Sequence, residues 1–218
     1  MRSLLREGSP VRLALASLAD DLLYSVLCLL CSVPVVTAGA AVTALFDLIM
    51  RTETGRDYGV GVYFRRFAAL FKKATISWSC LILLDALLFF CFRLNASAGG
   101  PFRGLLWGLL FFCAWLLFFL HLYLPPLISA ERQGTLFSVW RSALFMGIAL
   151  LPRSVLMLLV TAVPFLFWFL VPEVFWNISF FFVFFWPAVA ARIFFRLAGK
   201  YFPEFDRQPP VTEEDGAA

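Results

Sequence analysis

Asp85 is the residue of this chain best placed to do chemistry. It interrupts an otherwise uncharged run from Ala74 to Phe92 and lies 12 residues past Lys73. At the helical rise that is about 18 Å beyond the lysine. If the run spans a membrane, an ionisable side chain at that depth is costly and commonly functional. Asp85 is therefore a candidate contact for an ion, a proton or a polar solute. The plainer reading is a carboxyl that is protonated, or hydrogen-bonded to a Ser, Thr or Trp of a neighbouring helix. His121 is the only histidine and precedes Pro125-Pro126, where the third apolar run is expected to stop. That places it near the inner end of its helix and away from Asp85, so no His/Asp relay is expected. Cys28-Leu-Leu-Cys31 has redox spacing but sits in an apolar helix, where thiolate formation is disfavoured. Cys80, Cys91 and Cys113 are scattered, and one histidine with no paired CxxC gives no structural zinc pattern. There is no P-loop, GxGxxG, HExxH or GxSxG. No catalytic residue, metal or cofactor is expected, and a non-enzyme is the reading.

The elements that must position these residues follow from composition. Of 218 residues, 62% are hydrophobic, 18% aromatic and 15% charged, with mean hydropathy +0.88. An ordinary globular domain is roughly 45–50% apolar and about 25% charged, so a soluble domain is excluded, as is disorder for most of the chain. Crossing a bilayer takes about 20 mostly apolar residues. The runs Leu22 to Phe46, Ala74 to Phe92, Gly104 to Ala130, Ser154 to Pro172 and Val174 to Ala191 qualify. None alternates as barrel strands do, so all are read as helices. The fold class is all-α, a polytopic transmembrane helix bundle of five spans. Residues 1–202 form one domain, and 203–218 form a disordered polar tail.

The first run carries its own breaker. Pro34 removes a donor and disfavours helix in the residue before it, and Thr37 fits the N-cap of a new helix through Ala40, Ala41, Ala44 and Leu48. Either one span is kinked, or a helix from about Leu13 to Val33 is followed by a half-helix that turns back, giving six segments. The 25 uncharged residues are too few for two crossings, so the returning half is expected to be re-entrant or interfacial.

Charge orients the bundle, because Lys and Arg collect in short cytoplasmic loops. Arg51 to Lys73 holds six of them, and Arg192, Arg196, Lys200 and Arg207 follow the last run. Five spans leave 13 basic residues inside and 5 outside, and a returning first stretch makes the split 16 to 2. The C-terminus is expected in the cytoplasm. Within Gly61 to Lys73, Phe64, Phe67, Ala68 and Phe71 repeat at helical spacing among Arg65, Arg66, Lys72 and Lys73. This is the pattern of a basic amphipathic helix at the headgroups. Gly134 to Phe145, with Phe137, Trp140 and Arg141, repeats it.

Ser32-Val-Pro-Val-Val-Thr-Ala-Gly-Ala-Ala-Val-Thr-Ala-Leu45, Phe64-Arg-Arg-Phe67 and Phe71-Lys-Lys-Ala-Thr75 together resemble the N-terminal signature of the YesL family, small bacterial integral membrane proteins with a domain of unknown function. The family often has an Asn where this chain has Tyr24 and Ser25. The resemblance implies a multi-pass protein of the bacterial cytoplasmic (inner) membrane, linked to carbohydrate uptake and carrying no assigned catalytic residues.

Two classes of function follow. One is a non-enzymatic accessory or regulatory component that holds carbohydrate ABC-transporter permease subunits through the cytoplasmic basic face of Arg65, Arg66, Lys72, Lys73 and Arg141. The other is a small transporter or permease component in which Asp85 and the break at Pro34, Thr37 and Gly39 line a path. The expected partners are the lipid bilayer and those subunits, with no nucleic acid.

Overall fold

A computed structural model describes residues 10–97, 99, 102–130 and 135–201. The apolar runs become helices α1 (Pro10–Ser32), α2 (Ala38–Glu53), α3 (Val60–Ser97), α4 (Arg103–Ala130), α5 (Leu136–Ala149), α6 (Leu151–Leu170) and α7 (Pro172–Ala198). Short 3-10 turns occupy Val35–Thr37 and Gly199–Tyr201, and no strand occurs among the described residues. Four helical segments among them are long and apolar enough to cross a membrane: Val35–Glu53, Val60–Ser97, Arg103–Ala130 and Leu151–Leu170. The polar tail expected from residue 203 lies outside the described residues.

The first stretch folds back on itself. Pro34 is extended, at φ −76° and ψ 116°, and α2 starts four residues later. Thr37 does not cap α2 with its side chain as expected. Its hydroxyl donates backward instead, to the carbonyls of Cys31 at 2.6 Å and Pro34 at 2.8 Å, closing the turn. Tyr24 and Cys28 of α1 then share a core with Ala41, Ala44, Leu45 and Leu48 of α2.

The returning helix does not lie on the surface of the bundle. Helix α2 is the centre of the bundle, packed on α1, α3, α4 and α7, with Ala40, Ala41, Ala44 and Leu48 fully covered. Its small residues explain this, because Gly and Ala let neighbouring backbones come close. At Gly39 a Cβ would lie 2.4 Å from Trp78 Cβ, so α3 can approach only a glycine there. The two arms fit within a sequence that had seemed too short because they run past Asp21 and Asp47, which are buried inside the helices.

The basic segment Gly61 to Lys73 is not a separate helix. It forms the first turns of α3, one element of 38 residues and about 57 Å. No Gly or Pro separates Val62 from Asn95, and the buried stripe Tyr63, Arg66, Leu70, Ala74, Ser77 and Leu81 passes Lys73 unbroken. Phe64, Ala68 and Phe71 face outward. The second such segment is a separate helix, α5, which buries Val139, Ala143 and Gly147 and exposes Phe137, Arg141 and Phe145.

Pro125-Pro126 does not end α4 either, since the helix runs on to Ala130 with every residue from Leu122 buried. Beyond the prolines, side chains hold the last turn: Ser129 Oγ donates to the Pro126 carbonyl at 2.8 Å, and Arg66 Nη2 donates to the Ser129 carbonyl at 3.3 Å. A cation at a helix C-terminus also complements the helix dipole. Packing is concentrated at this end of the bundle. Towards the other end Leu83, Leu87, Phe89, Leu105, Phe111, Phe165 and Phe169 are exposed apolar surface of the kind lipid covers.

Candidate functional site

Two polar constellations stand out, one at the packed end and one near the α1–α2 turn. The first is built on Asp47, one helical turn before Arg51 in α2. Arg51 Nε donates to Asp47 Oδ2 at 2.8 Å. Arg66, on the buried stripe of α3, donates from Nε to Oδ2 and from Nη2 to Oδ1, each at 2.8 Å. The Asp47 side chain is 2% exposed. Beside it, Arg192 of α7 donates to Asp21 of α1 and, at 2.7 Å, to Glu53 Oε1 at the end of α2. Arg196 stands 3.9 Å from the same glutamate. Two arginines thus join α2 to α3 and α1 to α2 and α7 through charge-assisted, partly bidentate bonds, the strong class of hydrogen bond. In the sequence Asp21 and Asp47 read only as the ends of an apolar run, and neither cluster is visible. The available signals were the Asp47/Arg51 spacing of four and the place of Arg66 on a helical stripe.

The expected basic face is therefore divided. Arg65, Lys72 and Arg141 are exposed and Lys73 is half-buried, while Arg66 is buried and committed to Asp47.

The second constellation joins sequence candidates that had seemed unrelated. Trp78 Nε1 donates to the Val35 carbonyl in the α1–α2 turn at 3.1 Å, and its indole packs beside Gly39. The same ring meets His121 edge to face, with centroids 5.8 Å apart. His121 Nε2 lies 3.2 Å from Asp85 Oδ2, with side chains 31% and 47% exposed. Asp85 and His121 meet after all. His121 is nine residues from the end of α4, because that helix does not stop at the prolines. In antiparallel helices, moreover, each side chain tilts toward its own N-terminus. Asp85 leans toward the packed end and His121 away from it, which closes the remaining axial offset. Gly39, Thr43, Trp78, His121 and Pro125 line a hollow with about 10 Å³ of free space, close to what one water needs.

The structure thus brings Pro34, Thr37 and Gly39 into the neighbourhood of Asp85 through Trp78 and His121, and leaves the exposed cations elsewhere. No group of three His, Cys, Asp or Glu that could hold a metal occurs among the described residues. Cys28 and Cys31 are free thiols. No family model, no curated protein and no solved structure matches the chain.

Proposed function

We propose that the chain is a multi-pass protein of the bacterial cytoplasmic membrane, of the YesL type, acting as a non-enzymatic accessory or regulatory component of carbohydrate uptake. In this reading α1, α2, α3, α4, α6 and α7 cross the bilayer, α5 lies at its inner surface, and both termini are cytoplasmic. The observation that carries it is the division of cations at the packed end. Arg66 and Arg192 hold the bundle together, while Arg65, Lys72 and Arg141 are exposed and free to meet the acidic surface of permease subunits. The YesL and carbohydrate assignments rest on the resemblance of Ser32–Leu45, Phe64–Phe67 and Phe71–Thr75. A deletion strain tested for growth and uptake across a panel of glycans decides the reading. Loss of uptake for a defined class of glycan is expected, and wild-type uptake of every glycan contradicts it.

A second reading, a small transporter or permease component, is favoured by the meeting of Asp85 with His121 beside the broken helix. Asp85→Asn should then abolish solute flux in reconstituted vesicles while leaving the fold intact, and unchanged flux removes that reading.

A further inference from the structure

Helices α3 and α5 leave a groove between them, walled by Ile76 and Cys80 of α3 and by Phe137, Trp140 and Leu144 of α5, with about 440 Å³ of free space. That is within the roughly 300–1,000 Å³ of ligand pockets. Its form follows from the small residues of α5. The helix buries Val139, Ala143 and Gly147 and packs on α4, and a Cβ at Gly147 would lie 2.5 Å from Phe119 Cγ. The larger side chains are left beside α3. Trp140 bridges the gap at one point, where its Nε1 donates to the buried Ser77 Oγ at 3.4 Å. That bond turns the indole donor inward and leaves ring carbon in the wall. Ile76 and Phe137 are exposed, so the groove is an apolar surface without a protein cover among the described residues.

Charge stands at its edge. Among the described residues that line the groove only Arg141 carries a charge, and its side chain is exposed. Lys72, also exposed, lies one helical turn before Ile76 and so on the same face of α3. The groove opens where the uncharged run Ala74 to Phe92 begins: Ile76 and Cys80 follow Lys73 by three and seven residues. At the helical rise they lie about 5 and 10 Å past it. A cation at the mouth of an apolar trough calls for an anion joined to hydrocarbon. A free sugar or a peptide carboxylate would lose water against walls of carbon. A helix with its side chains is about 10–12 Å across, so the free space would take in about one turn of it, whereas a single hydrocarbon chain is slender enough to lie within.

We infer that the α3–α5 groove is a binding site for an anionic phospholipid of the surrounding bilayer, with one acyl chain laid along Ile76, Cys80, Phe137 and Leu144 and the phosphate held by Arg141 and Lys72. A guanidinium offers a planar fork that matches two phosphate oxygens, and Lys72 adds a second positive charge that favours a headgroup of net negative charge. The bound lipid fills the gap between α3 and α5 beside the Trp140–Ser77 bond and so fastens the short helix to the bundle. The inference goes beyond the permease reading. It takes from that reading only that α3 enters the bilayer just past Lys73, and it shares Lys72 and Arg141 with the proposed permease contact.

Native mass spectrometry of the full chain in detergent, with dioleoylphosphatidylglycerol or dioleoylphosphatidylcholine titrated in, tests this. The wild type should retain one phosphatidylglycerol at concentrations where phosphatidylcholine is not retained, and the chain-free headgroup glycerophosphoglycerol should not displace it. Arg141→Gln should weaken retention about ten-fold, as expected when a charged hydrogen-bonding partner is lost. Cys80→Trp should weaken it as much by filling the groove while every cation stays in place. No retained lipid, equal retention of the two lipids, or a folded variant of either kind that binds as the wild type does overturns the inference. The comparison of lipids on the wild type is decisive by itself, so a variant that fails to fold does not protect the proposal. Cys80→Trp also separates this site from the permease reading. It should lose the lipid and keep any recovery of permease subunits, and the reverse result gives the groove to a partner helix and overturns the inference. Retention of phosphatidylglycerol by a chain that recovers no permease would remove the permease reading alone.

Discussion

Arg66 holds both carboxylate oxygens of Asp47, Nε on Oδ2 and Nη2 on Oδ1, each at 2.8 Å, across the α2–α3 interface. Arg51 shares Oδ2, and the free guanidinium reach of Arg66 caps the end of α4 at Ser129. One acidic side chain is therefore shared by two buried cations where three helices meet.

Asp47→Ala should be among the most damaging single changes in the chain. Removing one partner of a buried charge pair leaves the other charge uncompensated, typically at a cost of about 3–5 kcal/mol. Thermal unfolding in detergent should register a large loss. Replacing Asp47, Arg51 and Arg66 together by Leu, Met and Met should recover most of it, because buried charges exchanged as a set for packed apolar groups are often neutral. A triple variant as unstable as Asp47→Ala would mean that the charges themselves are needed.

Arg192→Leu should orphan Asp21, leave Glu53 with only the exposed Arg196 at 3.9 Å, and loosen α7 from the α1–α2 hairpin. The effect should again be several kcal/mol, roughly 3–5. Limited proteolysis should show it as new cleavage between α6 and α7. Arg196→Leu, at 3.9 Å from Glu53 with its side chain 68% exposed, should change little, because exposed ion pairs contribute about 0–1 kcal/mol.

Gly39→Ala tests the close approach of α2 to Trp78. The added Cβ would sit 2.4 Å from Trp78 Cβ, an atom that cannot swing away, so overpacking should cost about 1–3 kcal/mol. Gly108→Ala is the control. Nothing lies within 4 Å of its Cβ position, and a mid-helix Gly→Ala change there should be neutral or stabilising by up to about 1 kcal/mol. Equal melting points for the two variants would contradict the packing described here.

The proposed six crossings put both ends on one side, so reporter fusions at residue 10 and at Gly199 should both report the cytoplasm. Reporters on opposite sides would mean an odd number of crossings.

Much of this fold is legible in the residues. The apolar runs give the helices, and Pro34 gives the break within a residue or two of where the chain turns. What escapes is long-range pairing. Asp21 and Asp47 look like the edges of membrane runs because a sequence does not display the arginines, 171 and 19 residues away, that let them be buried. Pro125-Pro126 looks like a helix end because Arg66, which holds the carbonyl end of α4 at Ser129, reaches it only once α3 and α4 are side by side. The same misplaced end hid the meeting of Asp85 and His121. The basic stretch Gly61 to Lys73 looks interfacial because the apolar face traced through Phe64 and Phe71 is prominent, whereas the packed stripe through Tyr63, Arg66 and Leu70 includes a charge that finds its partner in another helix.

The exposed cations at the packed end are proposed to hold partner permease subunits. Affinity purification of the full chain from its native membrane, wild type beside the Arg65→Gln, Lys72→Gln, Arg141→Gln variant, tests it most directly. Recovery of permease subunits with the wild type, reduced several-fold in the variant at equal expression and melting point, is the predicted result. A wild-type protein that purifies free of permease subunits, or recovery that the three substitutions leave unchanged, would contradict it.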